Sequence, residues 1–130
     1  MLNARDAVLT DKEAVTKYNE EYTHKHNGLS TCVLRPKTTE EVSQILAYCN
    51  SRKLAVVPQG GRTSLVAGGT TVFDEIVINL ERMNKIYELS PYTGIIKLQA
   101  GAILEDAEKL CHERGFLFPL DLGAKVRAVV

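Results

Sequence analysis

The chain has 130 residues, 45% of them hydrophobic and 25% charged, which suits one globular domain with a modest core and argues against disorder. Lysine plus arginine balance aspartate plus glutamate at 16 each, so a broad basic surface for nucleic acid is not expected. No apolar run reaches the length of a membrane span, and three cysteines without a CxxC pair read as reduced thiols rather than a disulfide framework.

The opening segment "MLNARDAVLTDKE" lacks the apolar stretch of a signal peptide, and Asp6, Asp11 and Glu13 interrupt it as a transit peptide. A helix is predicted from Thr10 to about Tyr22. Thr10 and Glu13 have capping-box spacing, and Val15, Tyr18 and Tyr22 share a face. Gly28 breaks it, and His24 and His26 read as a solvated helix end. "TCVLRP" is a short strand stopped by Pro36. Residues 37–53 form the strongest predicted helix, with Thr38 and Glu41 as a capping box and Val42, Ile45, Leu46 and Cys49 as its apolar stripe. "LAVVP" is the next strand, so strand, helix and strand make a parallel, right-handed βαβ unit. "EIVINLERMNKIYEL" and "GIIKLQAG" read as strands joined by a turn over residues 91–94. "AILEDAEKLCHERG" is a helix with Ile103, Ala107, Leu110 and Cys111 on its apolar stripe and Gly115 just past its end. Cys111 and His112 are adjacent and point about 100° apart on that helix, which does not favour shared metal ligation. "FLFPLDLGA" reads as a strand running into a loop. Only "KVRAVV" follows it, which reads as a truncation.

The chemistry-bearing stretch is "VVPQGGRTSLVAGG", residues 56–69, where a strand gives way to a glycine-rich loop. It has no Gly-Lys-Ser/Thr, which excludes a Walker phosphate loop. It lacks G-x-G-x-x-G and is followed by a β-rich run, which excludes the dinucleotide fingerprint. Successive amides in such a loop can still form a nest for an anion, with Thr63 and Ser64 adding hydroxyls and Arg62 adding charge. The plain alternative is a surface turn built from ordinary turn residues. Asp121 could contact a ligand, but an acidic residue in a loop is more often a local cap. No pair or triad of side chains identifies a catalytic acid, base or nucleophile.

The run "LRPKTTEEVSQILAYCNSRKLAVVPQGGRTSLVAGGTTVFDEIVINLERMNKI", followed in order by "QAGAILED" and "FPLDLGAK", resembles the flavin-binding domain of the D-2-hydroxyglutarate dehydrogenase family. These are FAD-linked oxidases of the vanillyl-alcohol oxidase type, and the resemblance covers about residues 29–125. It implies an α+β FAD-binding domain of the PCMH type, here incomplete, with the βαβ first subdomain and the start of a second sheet. It divides the chain into an N-terminal helical segment (1–28), the partial FAD-binding domain (29–125) and a divergent tail (126–130).

The resemblance assigns cofactor contacts to Pro58, Gln59, Gly60, Gly61, Arg62, Thr63, Ser64, Leu65 and Gly68 in the pyrophosphate loop. It adds Gly101 near the flavin cleft, and Pro119, Leu120 and Asp121 in a second segment beside the cofactor. Relatives read Gly-Gly-Asn-Thr-Gly where this chain has Gly60-Gly61-Arg62-Thr63-Ser64, so Arg62 is expected to pair with phosphate. Some distant relatives attach flavin through a histidine at the Arg62 position, so FAD here would be non-covalent. The implied function is the FAD-binding part of a D-2-hydroxy acid dehydrogenase, inactive alone, and by resemblance mitochondrial. The substrate, D-2-hydroxyglutarate in the parent reaction, would be met only in the full-length protein. No electron acceptor is indicated. Two other readings stand beside it: a remnant that binds no flavin, and a relative of D-lactate dehydrogenase.

Overall fold

The computed structural model describes residues 5–129. Its first half is a four-stranded sheet in the order β1-β2-β4-β3, built from β1 (Val8–Leu9), β2 (Val33–Leu34), β3 (Val56–Gln59) and β4 (Ile76–Asn79). β1 is antiparallel to β2, whereas β2 and β3 each run parallel to β4. The expected strand–helix–strand unit is therefore parallel, but its two strands are not neighbours: β4 lies between them.

Alternation along the strands decides which helix covers which face. Val33 and Val77 pack with Val15 and Tyr18 of helix α1 (Lys12–Asn19). Leu34, Ile76 and Ile78 face the other way, onto Ile45 and Cys49 of helix α2 (Thr39–Arg52). The two faces of β4 thus bury Val77 and Ile78, 0% and 3% exposed, in two separate clusters. Of the expected apolar stripe on α2, Ile45 and Cys49 are buried and Leu46 is 46% exposed.

The predicted first helix is corrected at both ends. Its cap is Asp11 rather than Thr10, because the Asp11 carboxylate accepts from the amides of Glu13 and Ala14 at 3.1 and 3.2 Å. It stops at Asn19, where Glu20 turns to extended backbone, so Tyr22 leaves the apolar face and is 54% exposed. At α2 the expected cap forms: the Thr38 hydroxyl accepts from the Glu41 amide at 3.2 Å. The Glu41 carboxylate accepts from the Lys37 amide at 2.6 Å, one residue before the cap.

The long strand predicted over residues 75–89 is two strands, β4 and β5 (Ile86–Leu89). The buried Asn79 carboxamide ends the first by accepting from the Glu81 amide at 3.1 Å, and the Met83 amide closes a turn onto the Leu80 carbonyl at 2.8 Å. β5 pairs antiparallel with β6 (Ile96–Leu98) as a separate two-stranded sheet, through the expected turn at residues 91–94. Helix α3 (Leu104–Glu113) follows. Ala107 and Cys111 are buried as expected, and Leu104, outside the expected stripe, is fully buried with them. No strand forms in "FLFPLDLGA": Pro119 has no amide to donate, and the Leu120 amide turns back onto Phe118 at 2.9 Å.

Candidate functional site

Where β3 runs out into the glycine loop, the surface opens into a cleft of about 330 Å³. Pro58, Gln59, Gly60, Gly61, Arg62, Thr63, Ser64 and Gly68 line it, and across from them lie Glu20, Glu21 and Tyr22, with Val129 at one side. Gln59, the last residue of β3, is 4% exposed. Its amide nitrogen donates to the carbonyls of Tyr18 and Gly69, each at 2.7 Å. Two carbonyl acceptors fix the amide's orientation and tie both ends of the loop to α1. The Gln59 Oε1 is left buried without a partner, an acceptor facing no protein donor.

The loop itself is rich in unused donors. Among the amides of residues 63–69, the one hydrogen bond to protein is from Val66 to the Ser64 hydroxyl at 3.2 Å. A glycine-rich run of amides whose other members have no protein acceptor among the described residues fits an anion with several oxygens, such as a pyrophosphate. The open Gln59 acceptor suits a ligand hydroxyl beside it. This donor-and-acceptor set therefore fits the phosphate and sugar portion of a dinucleotide.

Arg62 is not a free cation in this setting. It has φ +57°, its guanidinium donates to the Lys17 carbonyl, lies 3.5 Å from Glu81 and sits 5.1 Å from the centre of the Tyr18 ring. It lines the cleft while holding α1 to the loop after β4. Opposite it, Glu21 gathers four donors: the Thr23 hydroxyl, and the amides of Thr23, Lys25 and His26 at 2.6, 2.7 and 3.2 Å. The Thr23 hydroxyl, followed by those amides, lowers the Glu21 pKa from 4.5 to about 2. This wall of the cleft stays anionic and its donors are spoken for.

The remaining expected contacts are placed elsewhere. Leu65 is 71% exposed and lines no part of the cleft. Gly101 lies in an adjoining recess of about 260 Å³ shared with Gly61, Arg62 and Arg127. There its amide donates to the Met83 carbonyl at 2.8 Å, and a methyl at Gly101 would overlap the Leu80 carbonyl. Pro119, Leu120 and Asp121 line neither space, and the Asp121 carboxylate instead accepts from Lys125 at 3.2 Å. Sequence reasoning missed Glu20, Glu21, Tyr22 and Val129. The signal for Glu21 was its spacing from Thr23, a carboxylate two residues before a hydroxyl and a turn. Nothing local signals Val129.

Among the described residues no cluster of histidine, cysteine or carboxylate side chains is placed to hold a metal ion. No helix there is long and apolar enough to cross a membrane. Residues 30–130 match the family described as "FAD binding domain". The chain is 51% identical over 116 residues to a mitochondrial protein of Schizosaccharomyces pombe whose name proposes a D-lactate dehydrogenase, covering 89% of this chain and 22% of that one. It is 50% identical over 118 residues to the mitochondrial D-2-hydroxyglutarate dehydrogenase of Arabidopsis thaliana, covering 91% of this chain and 21% of that one. The chain thus spans 21–22% of the length of these two relatives. The crystal structure of p-cresol methylhydroxylase with substrate bound superposes with a TM-score of 0.71 at 17% identity, over 94% of this chain and 24% of that one, which shows the fold.

Proposed function

The chain belongs to the FAD binding domain family, and on that premise we propose that the cleft beside β3 holds the pyrophosphate of FAD non-covalently. The observation that carries this is the set of amides at Thr63, Ser64, Ala67, Gly68 and Gly69, which line the cleft without a protein acceptor among the described residues, next to the open Gln59 acceptor. In this reading the amides of Thr63, Ser64, Ala67, Gly68 and Gly69 and the hydroxyls of Thr63 and Ser64 meet phosphate oxygens. Gln59 takes a ligand hydroxyl, and Gly68 keeps the loop open. Arg62 shapes the loop through its contacts with Lys17, Tyr18 and Glu81. Gly101, in the adjoining recess, would face the rest of the cofactor, and Pro119, Leu120 and Asp121, which line neither space, are given no contact in it.

When bound, FAD supplies the two-electron acceptor for oxidation of a D-2-hydroxy acid to a 2-oxo acid. D-2-hydroxyglutarate is the proposed acid, supported by the relative at 50% identity; the S. pombe relative keeps D-lactate within the same substrate class. The names of both relatives support a mitochondrial setting. The part of the reaction assigned to these residues is to bind and orient the cofactor. The 130-residue chain alone is expected not to oxidise substrate.

Titration of the purified chain with FAD, followed by flavin fluorescence and calorimetry, tests the reading. Saturable binding of FAD and ADP, with much weaker binding of riboflavin, is expected because recognition centres on phosphate. Riboflavin binding as tightly as FAD, or no FAD binding, would overturn it. Turnover of D-2-hydroxyglutarate with FAD and a dye acceptor would overturn the division of labour.

A further inference from the structure

Gly60 and Gly61 look like residues that let a ligand approach, yet their open side is already filled by the chain itself. A methyl on Gly61 would overlap the carbonyl oxygen of Arg127, and a methyl on Gly60 would overlap Cγ2 of Val129. The segment that reaches them is anchored at its other edge to α3. The N-cap of α3 is Ile103, which offers no side-chain hydrogen bond. The amides left open there are taken by this segment: Leu104 donates to the Ala128 carbonyl at 2.9 Å and Glu105 to the Lys125 carbonyl at 3.3 Å. Val129 forms a β-bridge with Ile103, and Ala128 is 5% exposed. Lys125 is itself held by Asp121 at 3.2 Å and Glu108 at 3.7 Å.

We propose that residues 125–129 are a positioning strap, which caps α3 with its carbonyls and fixes the glycine loop from behind, and that Gly60 and Gly61 lack side chains because the strap packs against them. The two faces of the loop then have separate duties. The back of the 60–61 end receives the strap, and Thr63, Ser64, Ala67, Gly68 and Gly69 face the cleft. Val129 lines both the cleft and the neighbouring recess, so the strap sets the distance between the loop and α3. The strap's contacts stand on their own; its effect on FAD affinity rests on the cofactor reading above.

The test is a rescue experiment in the full chain, read by amide hydrogen exchange, thermal unfolding and FAD titration. Gly60→Ala should lift the strap and speed exchange at the Leu104 and Glu105 amides about tenfold or more, with a lowered Tm. Val129→Ala removes the overlapping methyl, so the pair Gly60→Ala/Val129→Ala should return exchange and Tm most of the way to those of Val129→Ala alone. Gly61→Ala meets a backbone carbonyl, so it should speed the same two amides and gain nothing from Val129→Ala. If Gly60→Ala does not fold alone, recovery of folding in the pair is the same result in stronger form. Unchanged exchange at Leu104 and Glu105 in both glycine variants would overturn the proposal. So would a loss of FAD affinity in Gly60→Ala that Val129→Ala fails to relieve. Should no variant and no parent chain bind FAD, the cofactor reading falls while the exchange data still decide the strap.

Discussion

Helices α2 and α3 are both amphipathic and both lean on a small sheet or turn, but they are started in opposite ways. α2 is capped by its own neighbours, through the Thr38 hydroxyl and the Glu41 carboxylate. α3 has no side-chain cap, and its first amides are met by carbonyls that come 20 and 24 residues later, from Lys125 and Ala128. A locally capped helix depends on a few residues and can be read from a short window. A helix capped by a distant strand depends on the tertiary fold, and it transmits any disturbance to whatever else the strand touches. Here that is the glycine loop. The region proposed to hold the cofactor is therefore the one whose order is borrowed.

The largest expected difference between the two helices comes from their cores. Leu104 is completely buried where α3 meets the strap, while Ile45 on α2 is 9% exposed beside the sheet. Leu104→Ala should cost toward the upper end of the roughly 2–5 kcal/mol typical of such truncations, and Ile45→Ala toward the lower end. Urea unfolding of both variants checks this. A distinguishing sign is that Leu104→Ala should also raise amide exchange in residues 60–69, whereas Ile45→Ala should leave them as they are.

Acid should break a local cap before a borrowed one. Glu21 resembles Thr38 in that all its donors lie within five residues, but its cap is a charge. Its pKa is lowered to about 2, chiefly by the Thr23 hydroxyl. A carboxylate held lower in the folded state than in the unfolded chain stabilises the fold fully above the unfolded value. That contribution is lost as pH falls from about 4.5 through about 2. Stability should therefore decline over this window, and Glu21→Gln should flatten the decline while lowering stability at pH 7. A pH series of thermal melts on both chains decides it; parallel curves would refute the assignment. Thr38→Ala, which removes the hydroxyl cap of α2, should cost about 1 kcal/mol at pH 7.

This contrast also explains what the sequence makes legible. The cap of α2, the βαβ arrangement, the 91–94 turn and the Gly115 stop are all encoded within a few residues, and each forms. The expected Thr10 cap fails by one residue because Asp11 offers a carboxylate at a better position, a competition that spacing alone does not rank. β4 between β2 and β3 was beyond local reading, since strand order follows from which faces α1 and α2 can both cover. In the site, the loop from Pro58 to Ser64 was legible because glycine density and donor residues are local properties. The inward turn of Arg62 was not, because its partners Lys17, Tyr18 and Glu81 come from two other parts of the chain. Nor was the close approach of Arg127 and Val129 to Gly61 and Gly60, because those groups are far away in sequence.

The C-terminal ends of the two helices supply the finest comparison, because there both are local and of one kind. At α2 the Lys53 amide donates to the Asn50 carbonyl at 3.2 Å and the Leu54 amide to the Cys49 carbonyl at 2.9 Å. At α3 the Gly115 amide donates to the His112 carbonyl at 3.0 Å and the Phe116 amide to the Cys111 carbonyl at 2.8 Å. Both are Schellman closures, and both need one residue in the left-handed region. α3 uses Gly115 at φ +76°, whereas α2 uses Lys53 at φ +56°. A side chain there costs roughly 1–2 kcal/mol, and glycine avoids it at the expense of roughly 0.5–1 kcal/mol of unfolded-chain entropy. Lys53→Gly should therefore stabilise by about 0.5–1 kcal/mol, and Gly115→Lys should destabilise by a similar amount. Lys53 is exposed and makes no ion pair among the described residues, so little is lost with its side chain. Opposite signs in chemical denaturation confirm that the backbone angle governs both positions. A destabilised Lys53→Gly would mean that the lysine side chain contributes more to the end of α2 than its backbone costs.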